Sequence, residues 1–323
     1  MMNEDTEIVI VGGGMAGLSA ATRLAELGLG VIVIDKGRGP GGRMAARRIE
    51  IGGDTVTFDH GAQYFTAREP SFRKAVNAWE AAGAAARWPA AGDDAWVGTP
   101  AMNACIKAMA QQLDVRWGMR AERLVRGPGG WRVEADGQTY TARTVLIAVP
   151  AEQAAVLLSN VAPDLAALAQ SVQSAPCWAV MAAFHTPLSF APDTFRSDTG
   201  PVSWAARNCA KPERSGPETW VIHASASRSR TIIDLAKEDA AQTVLADFHA
   251  ATGTAHAETL HLDAHRWLYA LPQARRCEGA YFDTKVQVGM AGDYLHSPRV
   301  EGAWLSGRVL AEIVCQERVA RMS

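Results

Sequence analysis

Residues 7–35, EIVIVGGGMAGLSAATRLAELGLGVIVID, decide the fold of this chain. Residues 8–11 are an apolar run typical of a buried parallel strand, and residues 31–35 repeat that character. Between them, apolar residues recur at helical spacing from Leu18 up to Gly28, which is a typical C-terminal stop. This order predicts a β-strand, an α-helix and a second β-strand, with a glycine-rich turn before the helix.

The turn carries the G-x-G-x-x-G spacing of a dinucleotide-binding loop. In such a loop Gly12 allows the tight turn, Gly14 lets the backbone approach a pyrophosphate, and Gly17 packs the helix against the strand. The helix N-terminus offers free N–H groups and a positive dipole to the phosphates. Asp35 ends the second strand, where it can accept hydrogen bonds from ribose hydroxyls. The motif alone does not distinguish NAD from FAD, and a glycine-rich turn in an ordinary α/β unit is the alternative.

Two further segments favour a flavin nucleotide. Residues 36–43, KGRGPGGR, suit a second contact with phosphate, because Arg43 would supply charge-assisted hydrogen bonds. A solvated basic loop is the alternative for this segment. Residues 58–65, FDHGAQYF, contain Gly61 and Ala62, which are small enough to let a flat ring system lie against the backbone.

A third segment lies near the C-terminus. Residues 288–293, VGMAGD, predict a strand that ends in Gly-Asp, and a helix is predicted to begin near Gly302. We expect Asp293 to bind the ribityl chain of a flavin. The helix start would then face the pyrimidine edge, where negative charge accumulates on reduction. A helix with a small-residue packing face is the alternative.

Residues 59–66, DHGAQYFT, resemble the D-x-G-A-Q-Y-F/I-T pattern of the flavin-containing amine oxidase superfamily. Within that superfamily they are most similar to the renalase family, especially its bacterial members. The Gly-Asp and the helix near the C-terminus look like the C-terminal flavin motif of the same superfamily. Four more segments extend the similarity to the renalase family over most of the chain: 204–208 (WAARN), 211–214 (KPER), 219–224 (TWVIHA) and 265–270 (HRWLYA).

This resemblance implies an α/β fold with a Rossmann-type FAD domain of the two-dinucleotide-binding-domain kind, which contains a β-meander. A second, α+β substrate domain of mixed sheet and helices is implied beside it. The expected FAD domain is discontinuous and comprises residues 1–67, 92–162 and 272–323, and the substrate domain comprises residues 68–91 and 163–271. Strand character around the meander comes in four runs: 115–125, 131–135, 139–141 and 144–150.

The substrate domain does not continue the dinucleotide pattern. Residues 176–184 and 219–224 are predicted to be strands, and residues 234–252 a helix. Its inward side chains are expected to be Leu235, Ala241, Leu245 and Phe248.

The motifs and the resemblance together predict FAD as a non-covalent cofactor. The residues expected to hold it are Gly12, Gly14, Met15, Ala16, Gly17, Asp35, Lys36, Gly42, Arg43, Gly61, Ala62, Gln63, Ala121, Asp293, Val300, Glu301 and Ala303.

The resemblance to the renalase family implies oxidation of 2- or 6-dihydro isomers of NAD(P)H, with hydride transfer to flavin N5 and reduction of O2 to H2O2. The lone pair of a dihydropyridine nitrogen expels the hydride, so no general base is required, and the protein supplies orientation. The candidate substrate-facing residues are Gln63, Tyr64, Asn208, His223, His265 and Trp267. Each has an alternative role, the aromatic and histidine side chains as core residues and Asn208 as a loop cap.

Two other functions stay open at this point. A flavin amine oxidase acting on a small primary or secondary amine would use two aromatic rings that flank the amine, and one sequence cannot reveal such a pair. A flavoprotein that binds FAD and nicotinamide nucleotides without turnover is the other alternative.

Composition limits the classes of partner. The formal net charge is −2, from 32 basic and 34 acidic residues, which indicates no nucleic-acid surface. The acidic N-terminus is unlike a secretory signal, and no apolar run approaches a membrane span. The five cysteines, which include Cys277, form no C-x-x-C pair, so we expect no disulfide framework and no metal site. A cytoplasmic enzyme with a small-molecule substrate, O2 and no obligate protein partner is the simplest interpretation.

Overall fold

The computed structural model of the chain describes residues 3–273 and 278–322. Cys277, the fourth of the cysteines in the sequence, lies outside the described residues.

The larger layer is an eight-stranded sheet. Its strands are β1 (Asn3–Val11), β2 (Val31–Asp35), β8 (Asp114–Trp117), β9 (Ala121–Gly127), β10 (Gly130–Ala135), β11 (Gln138–Ile147), β17 (Ala280–Asp283) and β18 (Val288–Ala291). β1 lies at the centre, with β11 on one side and β2 on the other, and β18 and β8 continue the parallel ladder outward. β9, β10 and β11 form the expected antiparallel meander, and β17 pairs antiparallel with β18.

Two strand predictions around the meander are wrong. The run 115–125 is not one strand, because the chain turns at Gly118, whose φ of +76° is favourable only for glycine. Its first part pairs with β2 and its second part begins the meander. Conversely, 139–141 and 144–150 are not separate strands. β11 pairs with β1 from Thr139 to Ile147, and this ladder keeps the chain extended between the two predicted strands.

Helices cover both faces of this sheet. One face carries α1 (Met15–Glu26), α3 (Ala104–Ala110) and α8 (Val300–Met322), and the other carries α4 (Ala151–Leu158) and α5 (Pro163–Gln170). Alternate residues of a strand point to opposite faces. Accordingly, Ile8 and Ile10 belong to the first core, and Val9 and Val11 belong to the second. The structure thus confirms the Rossmann-type α/β fold.

The second main layer is a five-stranded antiparallel sheet in the order β13-β14-β15-β12-β16. Its strands are β12 (Ser174–Phe184), β13 (Thr194–Arg196), β14 (Val202–Arg207), β15 (Glu218–Ala224) and β16 (Thr259–Pro272). Two helices follow β15: α6 (Ala226–Thr231) and α7 (Lys237–Thr252). Ala241, Leu245 and Phe248 of α7 are buried against the sheet as predicted. Leu235 is not a core residue: it precedes the helix and is 39% exposed.

Short elements connect the two layers. A hairpin of β3 (Arg47–Ile51) and β4 (Asp54–Phe58) packs Val56 and Phe58 on the second sheet. A three-stranded sheet and one helix complete the fold: β5 (Phe65–Thr66), β6 (Ala85–Arg87), β7 (Ala95–Gly98) and α2 (Pro70–Ala81). Although 68–91 is expected in the substrate domain, its buried side chains pack in the same core as α1 and α8. The domain boundaries stay a proposal.

In the described part of the chain, no helix is long and apolar enough to cross a membrane.

Candidate active site

The glycines of the first turn are required by close backbone packing. Gly12 has a φ of +114°, and a Cβ there would lie 2.4 Å from the carbonyl oxygen of Ala148. A Cβ on Gly17 would lie 1.8 Å from the carbonyl oxygen of Gly12. Both distances are far inside van der Waals contact, so no larger residue fits, and the βαβ turn is held tightly closed.

Gly14 differs from its neighbours. Among the described residues, no heavy atom lies within 4 Å of the place where its Cβ would be. Helix α1 starts at the next residue, and no described side chain caps its first turn. The N–H groups of Met15 and Ala16 therefore begin the helix beside open space. A pyrophosphate fits here, because it would satisfy these donors and complement the positive end of the helix dipole.

Asp35 lies beside this turn, at the end of β2. Its two carboxylate oxygens accept hydrogen bonds from the backbone N–H groups of Gly13 and Gly37, each at 2.6 Å. A carboxylate has further lone pairs, so it can still accept from a ribose hydroxyl. The neighbouring Lys36 points elsewhere: its ammonium donates to Gln153 at 3.1 Å, and burial, followed by Arg120, lowers its pKa.

Tertiary structure brings the other predicted flavin segments to this turn. The Cβ position of Gly42 is 3.6 Å from the Cα of Gly14. The carbonyl oxygen of Arg43 accepts from the N–H of Ala62 at 2.8 Å, and a Cβ on Gly61 would lie 2.2 Å from the same oxygen. Two backbone contacts therefore join three segments that are separate in sequence.

The fourth segment joins through an ion pair. The guanidinium of Arg43 donates to both carboxylate oxygens of Asp293, at 2.9 and 2.6 Å, and Asp293 is buried. Such a bidentate pair fixes the orientation of both groups. Helix α8 then starts at Val300, and Ala303 packs in the core shared with α1. These residues fit FAD, with a glycine loop for the phosphates, an acid for ribose, and an Arg–Asp pair beside the Gly61–Ala62 backbone.

Two predicted cofactor residues have other contacts. The carboxylate of Glu301 accepts from the N–H groups of Arg68 and Glu69, at 2.6 and 2.7 Å, so its side chain ties α8 to the start of α2. Ala121 begins β9 opposite Ala135 and is half-buried. A contact of either residue with the nucleotide stays a proposal.

Three of the substrate-facing candidates, His223, His265 and Trp267, lie on one face of the second sheet. Trp204, His223, Ala179 and His265 are direct cross-strand partners on β14, β15, β12 and β16. Residues opposite each other on antiparallel strands point to the same face, so these four form a row. Trp267, two residues after His265, lies in the next row on the same face. We call these five residues the histidine row.

Residues 59–64 cover this face. The ring of His60 stacks on Trp267, with centroids 5.4 Å apart, and meets His265 edge-on at 5.0 Å. The indole N–H of Trp267 donates to the carbonyl oxygen of His60 at 2.8 Å. Burial, followed by the proximity of His265, lowers the pKa of His60 to about 4. Burial, followed by Lys211, lowers that of His223 to about 4 as well. Both histidines are therefore neutral at pH 7.

Gln63 links this segment to the row. Its side-chain N–H groups donate to the carbonyl oxygens of Asp59 and of Gly61, the latter at 3.0 Å, and its amide nitrogen lies 3.5 Å from Nε2 of His223. The next residue, Tyr64, meets the ring of Trp204 with centroids 5.2 Å apart. This spacing is that of two aromatic rings in direct contact.

A buried ionic cluster behind Gln63 is absent from the predicted site residues. The carboxylate of Asp59 contacts the ammonium of Lys211 at 3.2 Å and the guanidinium of Arg214 at 2.6 Å, and it accepts from the N–H of Met102 at 2.8 Å. Lys211 also donates to the side-chain oxygen of Gln63 at 3.1 Å. We call Asp59, Lys211 and Arg214 the ionic cluster.

The cluster is shielded from water. The side chains of Asp59 and Lys211 have no exposed surface, and that of Arg214 is 2% exposed. Burial alone would raise the pKa of Asp59, but the two cations hold it below its ordinary value. Burial lowers the pKa of Lys211 to about 8, against the opposing effect of Asp59. The segments DHGAQ and KPER mark both ends of the cluster in the sequence, although nothing in either segment identifies its partner.

The side chain of Asn208 holds the backbone around residues 57–59 in place. Its amide accepts from the N–H of Asp59 at 3.3 Å and donates to the carbonyl oxygen of Thr57 at 2.6 Å, and the residue is fully buried. A side chain that has no accessible surface offers none to a substrate. These contacts favour the loop-fixing alternative over substrate binding.

No group of three or more histidine, cysteine or acidic side chains within the described ranges is placed to hold a metal ion.

Comparison with protein families gives two adjoining matches. Residues 10–79 match the NAD(P)-binding Rossmann-like domain, and residues 88–315 match the flavin containing amine oxidoreductase family. The second match covers more than half of the chain.

Solved structures of similar fold include three oxidases, each aligned over 98% of this chain and 100% of its own. A protein assigned as a protoporphyrinogen oxidase from Exiguobacterium sp. 255-15 has a TM-score of 0.76 at 13% identity. Putrescine oxidase bound to putrescine has a TM-score of 0.67 at 15% identity. Cyclohexylamine oxidase from Brevibacterium oxydans IH-35A has a TM-score of 0.65 at 11% identity. At these identities the likeness is one of fold.

Proposed function

Because the chain belongs to the flavin containing amine oxidoreductase family, we propose that it is an FAD-dependent oxidase of 2- or 6-dihydro isomers of NAD(P)H. In the proposed reaction the dihydronicotinamide loses a hydride equivalent and leaves as NAD(P)+, while O2 and one proton take up the electron pair as H2O2. FAD, when bound, would supply the redox chemistry of hydride uptake and electron transfer to O2.

The charge around the histidine row is the observation that most supports this substrate. The ionic cluster has two cations against one carboxylate, which leaves one net positive charge behind Gln63. The carboxylate of Asp59 already accepts from three donors and has no exposed surface. A protonated amine would be repelled by this charge at low dielectric, whereas a neutral dihydropyridine would not.

The row also offers suitable contacts for a flat heteroaromatic amide. Trp267 and Tyr64 are partly exposed beside their contacts with His60 and Trp204, and they can supply ring surface. Burial, followed by Arg47, lowers the pKa of His265, so this histidine is neutral at pH 7 as His223 is, and a neutral histidine has one donor and one acceptor nitrogen. These groups can orient a carboxamide without changing protonation. Because the ring nitrogen of the substrate expels the hydride, the proposed reaction requires no acid–base pair from the row.

Amine oxidation is the second candidate. It is favoured by the fold neighbours whose names include putrescine and cyclohexylamine as substrates. The contact between Tyr64 and Trp204 argues against it, because an amine held between these two rings would need them to separate from 5.2 Å.

The test uses purified holoenzyme. It is mixed anaerobically with partially isomerised NADH, with pure NADH, with putrescine and with cyclohexylamine, and the visible flavin absorbance is followed. We expect bleaching by the isomer mixture, and NAD+ and H2O2 in equal amounts after air is admitted. Bleaching by an amine alone would establish the second candidate. Failure to bleach with any donor would indicate a flavoprotein without turnover of these compounds.

A further inference from the structure

A surface pocket of about 490 Å³ lies at the free edge of β16. The side chains that matter for its chemistry are Arg47, Lys237, Arg266, His265 and Leu235. We call it the β16-edge pocket. His265 is also the outer member of the histidine row, so the pocket adjoins the candidate substrate site.

The charged side chains that line the pocket are all basic. Its lining residues, all within the described part of the chain, include Arg47 from β3, Lys237 from the start of α7, and Arg266 from β16, and they include no carboxylate. Asp263 pairs with Arg47 at 2.5 Å and with Lys237 at 2.7 Å from outside the lining. Three cations against this one carboxylate leave a net positive charge, which favours an anion with more than one negative charge.

The cations keep donors for a ligand. Arg47 donates to Asp263 through one terminal nitrogen, and Arg266 donates to the carbonyl oxygen of Ile233 at 2.6 Å through one of its own. A guanidinium has five N–H donors and an ammonium has three, so each cation can make further bonds to phosphate oxygens. Leu235 is 39% exposed at this place, and an apolar side chain beside the cations suits the base or sugar of a nucleotide.

The position of the pocket also fits a dinucleotide. His265 is on the edge strand, and His223 lies two strands further in, a separation of about 10 Å at the usual strand spacing. Arg266 follows His265 in β16 and therefore points to the opposite face of the sheet, where it lies over the ring of Trp178. A dinucleotide whose nicotinamide ring lies at the row would thus pass over the edge of β16 to place its phosphates at the pocket. The basic pocket suits the charged phosphates of such a molecule, and the neutral row suits its uncharged dihydronicotinamide ring.

From this juxtaposition we propose that the β16-edge pocket binds the pyrophosphate of the dinucleotide substrate, an inference that rests on the proposed function. Arg266 and Lys237 then determine the preference for dinucleotides over shorter dihydronicotinamides. They act on substrate binding and not on the hydride step.

The test compares Lys237→Gln and Arg266→Gln with wild-type holoenzyme. For dihydro isomers of NAD, we expect KM to rise roughly fivefold in each variant with kcat unchanged, as for a partly exposed charge pair. For the phosphate-free dihydronicotinamide riboside isomers, KM should be the same in all three proteins. Lys285→Gln, on the turn between β17 and β18, is the matched control and should leave both values unchanged. An unchanged KM for the dinucleotide, or an equal rise for the riboside, would overturn the proposal.

A second measurement separates this inference from the proposed function. ADP binding to the holoenzyme, whose flavin site is filled, is measured by calorimetry without turnover. Weaker ADP binding in Lys237→Gln and Arg266→Gln than in wild type supports a phosphate site even if no dihydronicotinamide is oxidised. ADP binding that is absent from wild type, or equal in all proteins, excludes it.

Discussion

Replacement of Asp59 by Asn tests the ionic cluster most directly. The substitution keeps the shape of the side chain and its contact with the N–H of Met102, but it removes the only negative charge of the cluster. Lys211 and Arg214 are then left as two buried cations without their counterion. Breaking a buried ion pair by removing one partner costs about 3–5 kcal/mol of the free energy of unfolding, because the remaining charge is desolvated and unpaired.

Replacement of Lys211 by Met should cost less. Asp59 keeps Arg214 at 2.6 Å, so the remaining pair is neutral, and the desolvation of one ammonium is avoided. The loss is then the hydrogen bond to Gln63, about 1–2 kcal/mol. In the double variant the uncompensated charge falls from two to one, so the two costs should not add and the coupling should be about 2 kcal/mol.

The assay is urea unfolding of the holoenzyme, followed by tryptophan fluorescence at pH 7 and one fixed FAD concentration, because bound ligand adds to apparent stability. Asp198→Asn is the control, since that side chain is 91% exposed and its loss should change stability by less than about 0.5 kcal/mol. A cost below about 1 kcal/mol for Asp59→Asn, or a larger cost for Lys211→Met, would refute this account of the cluster.

Three further predictions concern the nucleotide turn, the Arg–Asp pair and acid stability. Gly14→Ala should leave the melting temperature of the apoprotein unchanged and weaken FAD binding roughly tenfold or more in a fluorescence titration. Gly17→Ala should instead lower apoprotein stability by about 1–3 kcal/mol through its backbone clash, and equal effects of the two variants would contradict this distinction. Arg43→Gln should weaken FAD binding by about 1.5–3 kcal/mol, because the carboxylate that it orients loses a charged partner, and unchanged affinity would exclude that role. The pKa values of His60 and His223 lie at about 4 in the folded protein instead of 6.5, so the unfolded chain binds more protons between these pH values. Each histidine should therefore make stability fall by about 1.4 kcal/mol per pH unit as the pH drops through this window, and His223→Asn should remove its share of the slope in urea unfolding at several pH values.

Local sequence determined the nucleotide-binding half of the protein. The strand, the glycine turn and the helix that starts at Met15 are fixed by residue spacing over one βαβ unit, and the structure has them where the pattern predicts them. The errors in this half occur where a long-range ladder overrides local preference. Gly118 permits the turn that divides 115–125, but the use of that turn depends on the pairing of the first part with β2 and of the second part with β10, and the unbroken β11 depends on its pairing with β1.

Only the tertiary structure decided how the candidate site is assembled. The row of Trp204, His223 and His265 depends on strand register, in which a slip of one residue would turn every side chain to the other face. The ionic cluster joins Asp59 to Lys211 across 152 residues of sequence. An unpaired buried charge costs free energy, so each charge of the cluster needs a partner in the folded protein. The residues around Asp59 or around Lys211 do not show which partner that is, because the pairing depends on the tertiary fold.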